Sequence, residues 1–265
     1  MRRLCFLLFL GLLPCLPANA QRLNDTAQTT CYDVSTSTGT VAPATPDPEL
    51  AGYNEQDCTR GAAAADALGR MVKVGGSTAP GRDYTKIAGD GSELPASATL
   101  GSGPSDWACT RDNITGLIWE VKVNDSANLR HFGHTYTWYD PNPQINGGNA
   151  GSIGTGTSCN STLANCNTTA YRNAVNALTG SSRLCGATDW RLPSSFELRS
   201  LTHMGVTNPA IDATWFPHTA LDFYWTGTTR ASNVSAVLAM LFINGGSNFP
   251  PKTNSHAIRL VRGGR

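Results

Sequence analysis

Apolar and polar residues alternate between positions 117 and 123, and this period of two predicts a strand with one buried face. The side chains expected to face the core are Leu117, Trp119, Val121 and Val123, and those expected to face solvent are Ile118, Glu120 and Lys122. The pairs Asp112-Asn113 and Thr115-Gly116 precede this segment and favour a turn. The pattern therefore predicts a turn followed by a half-buried strand.

Two amphipathic helices are predicted further along the chain. The first covers residues 170–178, with Thr169 as its cap and Gly180 as its stop; its apolar positions are Tyr171, Ala174, Val175 and Leu178. In the second, Ser194 is expected to cap the first turn and Glu197 to complete a capping box. The side chains expected to face the core before Gly205 ends this helix are Leu198, Leu201 and Met204.

Three strand-like runs end the chain, at residues 223–227, 236–243 and 257–262. The middle run is apolar at almost every position, which is typical of a strand covered on both faces. Helices followed by a group of strands favour an α+β fold over alternating βαβ units. Upstream, the composition of 35–48 predicts a linker, and that of 75–103 predicts weak secondary structure in which Tyr84 and Ile87 pack onto the main body.

The first twenty residues have the features of a secretory signal peptide. Arg2 and Arg3 form a basic start, the apolar run 4–16 is too short to span a bilayer, and residues 18–20 match an Ala-x-Ala cleavage site. Cys15 offers a lipoprotein anchor as an alternative, but the preceding proline and the downstream triplet favour cleavage before Gln21. No later segment has the length and hydropathy of a membrane span, so a mature chain exported to the periplasm or the cell surface is predicted.

Removal of this signal leaves six of the eight cysteines, an even number that predicts disulfide bonds in an exported chain. The sequence leaves their connectivity open. Pairing of neighbours joins Cys31 to Cys58 and Cys159 to Cys166, and this arrangement leaves Cys109 for Cys185. The polar segment 142–169 is then a stapled surface loop or a functional loop.

Charge is distributed unevenly along a chain that is almost neutral. The sequence has 20 basic and 19 acidic residues, and removal of Arg2 and Arg3 leaves a net charge of −1, which does not favour nucleic acid as a partner. From Phe223 onwards there is no Asp or Glu, although His256 and five basic residues are present: Arg230, Lys252, Arg259, Arg262 and Arg265. The basic tail from Phe223 onwards has two interpretations. It forms either a positive surface that attracts a polyanion, or a set of solvated charges of which one or two are paired with acids elsewhere in the chain.

Four motifs occur in a particular order: DNITGLIWE at 112–120, DWRLP at 189–193 with Glu197-Leu198, YWT at 224–226 and VR at 261–262. In order and spacing they resemble the Lcl C-terminal domain family, long catalogued as a domain of unknown function and named for a collagen-like bacterial adhesin. The resemblance covers residues 107–265, although Leu260 stands where many members have a cysteine. It implies a C-type-lectin-like fold related to the formylglycine-generating enzymes, an extracellular binding role and, in the adhesin, association with sulfated glycosaminoglycans.

The cluster Asp189, Trp190 and Arg191 has two interpretations. The favoured one is structural, because a hydrogen-bonded Asp–Arg pair beneath the indole would hold the segment before the second helix. The alternative is a carbohydrate platform, with Trp190 stacking on a sugar and Arg191 binding a sulfate or carboxylate. The candidate ligand-binding residues are therefore Trp190, Arg191, Arg230, Lys252, Arg259 and Arg262.

No catalytic site, cofactor or metal site is predicted. Paired cysteines offer no thiolate nucleophile, and none lies beyond Cys185, where the oxidase relatives of the fold need reactive ones. No pair of carboxylates suits glycoside hydrolysis. His131 and His134 lie three residues apart, but no neighbouring carboxylate or cysteine pair completes a zinc set.

The sequence thus predicts three parts: a signal peptide at 1–20, a Gly/Ser/Pro-rich region with one disulfide at 21–103, and an Lcl C-terminal-like domain at 104–265. For that domain we expect an α+β, C-type-lectin-like fold with two helices and a mostly antiparallel sheet. The predicted function is a non-catalytic, adhesin-like binding module for a sulfated or acidic glycan. The alternative is a structural or protein-interaction module of the cell envelope with a surface protein as its partner, and either role is compatible with an oligomer.

Overall fold

The strands of this α+β protein pair antiparallel in three sheets. The computed structural model describes residues 24–27, 61–67 and 69–263. The strands are β1 Tyr84–Ala88, β2 Glu93–Leu94, β3 Trp107–Asp112, β4 Ile118–Glu120, β5 Tyr136–Thr137, β6 Phe223–Thr229, β7 Val237–Leu241, β8 Gly246–Asn248, β9 Ser255–His256 and β10 Val261–Arg262. The α-helices are α1 Ala62–Ala67, α2 Pro143–Asn146, α3 Thr168–Asn176 and α4 Ser195–Arg199.

The largest sheet has the strand order β10-β4-β3-β1-β2, the second has the order β6-β7-β8, and β5 pairs with β9. The predicted α+β fold with mostly antiparallel pairing is confirmed, but the described part of the 104–265 domain has three α-helices and not the predicted two, since the short helix α2 also forms. The C-type-lectin-like arrangement stays a prediction.

The largest sheet begins before residue 104, because β1 and β2 come from the segment 75–103. The expectation of weak secondary structure is wrong for this part of the segment: β1 lies between β2 and β3 and pairs with both. Tyr84 and Ile87 are buried, as predicted. The predicted signal peptide, the linker 35–48 and the Cys31–Cys58 bond lie outside the described residues.

The motif at 112–116 forms the turn between β3 and β4. The Asp112 carboxylate accepts hydrogen bonds from the Ile114 amide at 3.0 Å and from the Thr115 hydroxyl at 2.6 Å. The Gly116 amide donates to the Asp112 carbonyl at 2.8 Å, and Gly116 has a φ of +73°, which glycine adopts without steric cost. The predicted turn is therefore confirmed.

The strand that follows this turn is buried on both faces, so the predicted one-sided alternation is wrong for Glu120 and Lys122. Lys122 Nζ lies 3.0 Å from Glu120 Oε1, and the Tyr171 hydroxyl donates to the same oxygen. The Leu260 amide donates to Glu120 Oε2 at 3.0 Å. These contacts satisfy the carboxylate inside the core, while burial lowers the pKa of Lys122 to about 8.

Both predicted helices form, but their ends differ from the prediction. Helix α3 is capped by Asn167, whose side chain accepts a hydrogen bond from the Ala170 amide at 2.8 Å. Helix α4 has the predicted capping box between Ser194 and Glu197. It ends at Arg199, not near Gly205; beyond this end the His203 amide pairs with the Ala210 carbonyl and the Met204 amide pairs with the Thr26 carbonyl.

Two disulfides are present in the described residues, Cys109–Cys185 and Cys159–Cys166, and these two predicted pairings are confirmed. All four cysteines lie in a core that also holds three buried tryptophans: Trp138, Trp190 and Trp225. The Cys159–Cys166 bond closes a short loop within the polar segment 142–169, and both of its cysteines are buried in this core. Within the described part of the chain, no helix has the length and hydropathy to cross a membrane.

Candidate functional site

Trp190 joins helix α3 to the segment that precedes α4. Its side chain is buried, and its indole nitrogen donates a hydrogen bond to the Leu184 carbonyl at 3.1 Å. The Asn176 side chain accepts from the Trp190 amide at 2.9 Å and donates to the Trp190 carbonyl at 2.8 Å. Because a sugar cannot reach the buried indole, Trp190 is a structural joint and not a carbohydrate platform.

Arg191 forms a bidentate ion pair with Glu197 of helix α4, with N–O distances of 2.8 and 2.7 Å. Burial alone would raise the pKa of Glu197, but hydrogen bonds from Arg191 and Ser194 outweigh it and lower the pKa. The Glu197 carboxylate therefore accepts hydrogen bonds both from the Ser194 amide at the helix cap and from the Arg191 guanidinium. Arg191 orients α4 and has its charge compensated.

The Asp–Arg pair expected within the 189–191 cluster does not form, because Asp189 binds Arg262 instead, at 2.7 Å. This pair links the segment before α4 to strand β10. The hydrogen bond from Arg262 is the main cause that lowers the pKa of Asp189. Arg262 is thus at the surface but already paired with an acid.

Lys252 and Arg259 are buried, so neither lies on the predicted cationic surface. Lys252 Nζ donates to the carbonyls of Asn146 and Asn149 at 2.8 and 2.6 Å, and burial lowers its pKa to about 8. Arg259 donates to the Glu120 carbonyl at 2.7 Å and to the Thr219 hydroxyl at 2.9 Å. Both cations hold backbone segments together inside the protein.

Arg230 is the one predicted ligand contact that is exposed and has no acidic partner among the described residues. Its Nε donates to the Ser232 hydroxyl at 3.0 Å, and its guanidinium lies 4.8 Å from the centre of the Phe249 ring. With Lys252 and Arg259 buried and Arg262 paired, the C-terminal strands do not form a continuous positive face. The interpretation as partly paired charges describes this region better.

A cleft lies between helix α4 and the N-terminal segment 24–27. It has a volume of about 170 Å³ and is lined by Asn24, Asp25, Thr26, Phe196, Arg199, Ser200, Thr202 and Met204. Phe196 is 73% exposed and Met204 is 51% exposed, which is unusual for large apolar side chains. An accessible aromatic ring therefore lies beside polar groups at an open cavity.

Helical spacing places the two most distinctive groups of the cleft together. Phe196 and Arg199 are three residues apart on α4, so their side chains project from the same face. Arg199 is exposed, and no acid among the described residues lies within ion-pair distance of it. The cleft thus combines an apolar ring with a guanidinium that forms no ion pair within the described ranges.

The opposite wall is held in place by Arg82, which is fully buried. Its guanidinium donates to the carbonyl of Asp25 at 3.0 Å, to that of Ser200 at 2.9 Å, and to that of Thr202. The Asn24 side chain donates to Asp112 at 2.7 Å, which ties the same segment to the β3–β4 turn. Hydrogen bonds to buried groups therefore position this wall before any ligand arrives.

Residues 108–262 match the family model of the Lcl C-terminal domain. The chain belongs to the Lcl C-terminal domain family. No curated protein matches it. Within this family member, Phe196, Arg199 and Met204 lie in the matched region, whereas Asn24, Asp25 and Thr26 precede it.

Sequence reasoning did not find the cleft, although part of its signal is local. Phe196 stands two residues after the Ser194 cap, on the helix face opposite Leu198, which is buried. A large aromatic residue on the solvent face of a predicted helix was the available signal. No comparable sequence signal shows that residues 24–26 line the cleft, because they are brought to α4 by contacts with residues that are distant in sequence.

Loss of the α4 cap is expected to destabilise the protein measurably. Replacing Ser194 by alanine removes the acceptor for the Glu197 amide, which lies 3.2 Å from the serine hydroxyl. We expect the free energy of unfolding to fall by about 1 kcal/mol, measured by urea denaturation. Ser195→Ala is the matched control, and an equal loss in both variants would contradict the role of the cap.

Proposed function

We propose that this family member is an exported, non-catalytic binding module that holds an anionic glycan in the cleft between α4 and residues 24–27. The observation that carries the proposal is the exposed pair of Phe196 and Arg199 on one face of α4. The aromatic ring offers a flat apolar surface to the C–H face of a sugar. The guanidinium offers a bidentate partner for a carboxylate or sulfate.

The size and rim of the cleft support a single sugar ring as the occupant. A cavity of about 150 Å³ holds benzene, so an open cleft of about 170 Å³ can take the ring of one sugar while its hydroxyl groups extend to the rim. At the rim the exposed guanidinium of Arg199 offers N–H donors to these hydroxyls, whereas Ser200 and Thr202 are buried and the Asn24 amide donates to Asp112. A chain of sugars would then continue along the surface outside the cleft.

The one acid in the lining does not cancel the positive charge of Arg199. Asp25 accepts hydrogen bonds from the Ala27 amide at 2.7 Å and from the Ala62 amide at 2.6 Å. These two donors engage both carboxylate oxygens and orient them within the segment, but they leave the negative charge of Asp25 in place. No ion pair joins Asp25 to Arg199, both of which the structure describes, so the exposed guanidinium of Arg199 is the group at the cleft that can pair with an anionic group of a ligand.

Export is supported by the signal-like start of the sequence and by two buried disulfides. Structural disulfides are rare in reducing compartments and common in secreted proteins. A periplasmic or cell-surface location follows as part of the proposal. The resemblance to the adhesin domain favours the surface.

Retention on immobilised heparin across a salt series tests the glycan proposal. We expect salt-dependent retention of the wild type, about tenfold weaker affinity for Arg199→Gln and about fivefold weaker affinity for Phe196→Ala. Arg230→Gln is the matched control, because Arg230 is also exposed but lies at the end of β6. If salt did not change the elution of the wild type, a polyanion would be excluded as the ligand. If Arg230→Gln alone lost binding, the binding site would lie at the end of β6 and not at the cleft.

A protein partner of the envelope is the second candidate, and one observation favours it. Phe196 and Met204 both line the cleft and are 73% and 51% exposed, so it presents two large apolar side chains where a sugar would use one. A glycan array without hits, together with a reproducible cross-linked protein partner that Phe196→Ala abolishes, would favour this candidate over the first.

A further inference from the structure

A second, smaller pocket lies apart from the α4 cleft and shares none of its lining residues. It has a volume of about 50 Å³ and lies between the glycine loop 101–103 and the two 3₁₀ turns Gly180–Ser182 and Leu184–Gly186. Two arginines and three serines contribute to it: Arg130, Arg183, Ser102, Ser181 and Ser182. No acidic residue is among the described groups that line it.

Arg130 is fixed in this pocket by neutral partners. Its Nη1 donates to the Val121 carbonyl at 2.9 Å and contacts the Ala108 carbonyl at 3.4 Å. Carbonyl oxygens orient a guanidinium but leave its net charge in place. In the described part of the chain, no Asp or Glu forms an ion pair with Arg130 or Arg183.

A disulfide holds the two arginine-bearing walls together. Arg183 is two residues before Cys185, and the carbonyl that Arg130 contacts belongs to Ala108, the neighbour of Cys109. The Gly186 amide also donates to the Gly89 carbonyl at 3.0 Å. The Cys109–Cys185 bond therefore keeps two like charges at one pocket, an arrangement that electrostatic repulsion alone would oppose.

Asp106, three residues after Gly103, is directed at the backbone of the glycine loop. Asp106 accepts a hydrogen bond from the Gly103 amide at 2.8 Å. The side-chain donors that remain at the pocket are the guanidinium groups and the serine hydroxyls. A volume of about 50 Å³ exceeds the ~10–15 Å³ that one water needs but is well below the ~150 Å³ of a cavity that holds benzene, so a sugar ring does not fit.

We propose that this pocket binds one tetrahedral oxyanion, phosphate or sulfate, between Arg130 and Arg183. Such an ion matches the pocket in size, accepts hydrogen bonds from arginine forks and hydroxyls, and compensates two charges that no acid in the described part of the chain pairs with. The same oxyanion could be a free ion or the end of a monoester. The proposal does not rest on glycan binding at the α4 cleft.

Titration calorimetry on the full mature chain in chloride buffer tests the site. The probes are inorganic phosphate, inorganic sulfate, glucose 6-phosphate and glucosamine 6-sulfate. We expect saturable one-to-one binding of at least one probe, and tighter binding of an ester than of the free ion identifies a monoester as the ligand. Arg183→Gln, at an exposed position that tolerates the change, should bind at least tenfold more weakly.

Two further variants keep the test decisive. Arg130→Lys retains the charge but loses the planar fork, so it should weaken binding while thermal unfolding shows a folded protein. Arg199→Gln, at the other cleft, should bind the oxyanion as the wild type does. Absence of saturable binding for all four probes, or wild-type affinity in Arg183→Gln, would overturn the proposal.

Discussion

Replacing Arg259 with alanine is expected to lower the free energy of unfolding by about 4 kcal/mol, because two buried acceptors lose their donor. Arg259 is fully buried and donates to the Glu120 carbonyl and to the Thr219 hydroxyl. Its guanidinium also lies 5.3 Å from the centre of the Phe216 ring, so truncation removes packing as well. Urea denaturation followed by tryptophan fluorescence measures the loss.

Arg262→Ala is the matched control for this experiment. Arg262 is three residues away in the same C-terminal segment, but its ion pair with Asp189 is partly exposed, with side-chain exposures of 29% and 60%. Exposed pairs contribute at most about 1 kcal/mol. If Arg259→Ala lost no more stability than Arg262→Ala, Arg259 would be at the surface in solution, and the cationic C-terminal face would return as a ligand site.

Removing the Cys109–Cys185 bond by replacing both cysteines with alanine is expected to cost about 4 kcal/mol. The bond closes a loop with a sequence separation of 76 residues, and loop-closure entropy in the unfolded chain grows with that separation. Removing Cys159–Cys166, with a separation of 7, should cost about 2 kcal/mol by the same relation.

Chemical denaturation of the two double variants, with free-thiol counting to verify the remaining bonds, measures the difference. Both bonds are buried in the same core, so packing losses are similar and the comparison isolates the effect of loop length. A larger loss from the short loop would show that native-state packing, and not the unfolded chain, dominates the effect of these disulfides.

The sequence predicted correctly the local features that are formed by neighbouring residues. The turn at 112–116 and the capping box at 194–197 form as predicted, because both are made by side chains that bond to backbone groups within four residues. The end of α4 was not predictable in the same way. There the Met204 amide pairs with Thr26, a partner far away along the chain.

The positions of the charged residues illustrate the same limit. An arginine in a strand-like run is normally exposed, so the acid-free tail suggested a surface that attracts polyanions. Arg259 and Lys252 are instead buried, because backbone carbonyls from distant segments meet them there. No pattern within the tail identifies these acceptors, since they belong to Glu120, Asn146 and Asn149.

The sequence by itself determined the family, the α+β class, the turn and the helix cap, since each depends on short-range hydrogen bonds or on the order of motifs. Only the tertiary structure decided which cations are buried, which are paired and which remain open at a cleft. Phe196 and Arg199 became a candidate site because residues 24–26 lie opposite them. The physical reason is that burial and charge compensation depend on groups brought together by folding, and sequence distance does not encode that proximity.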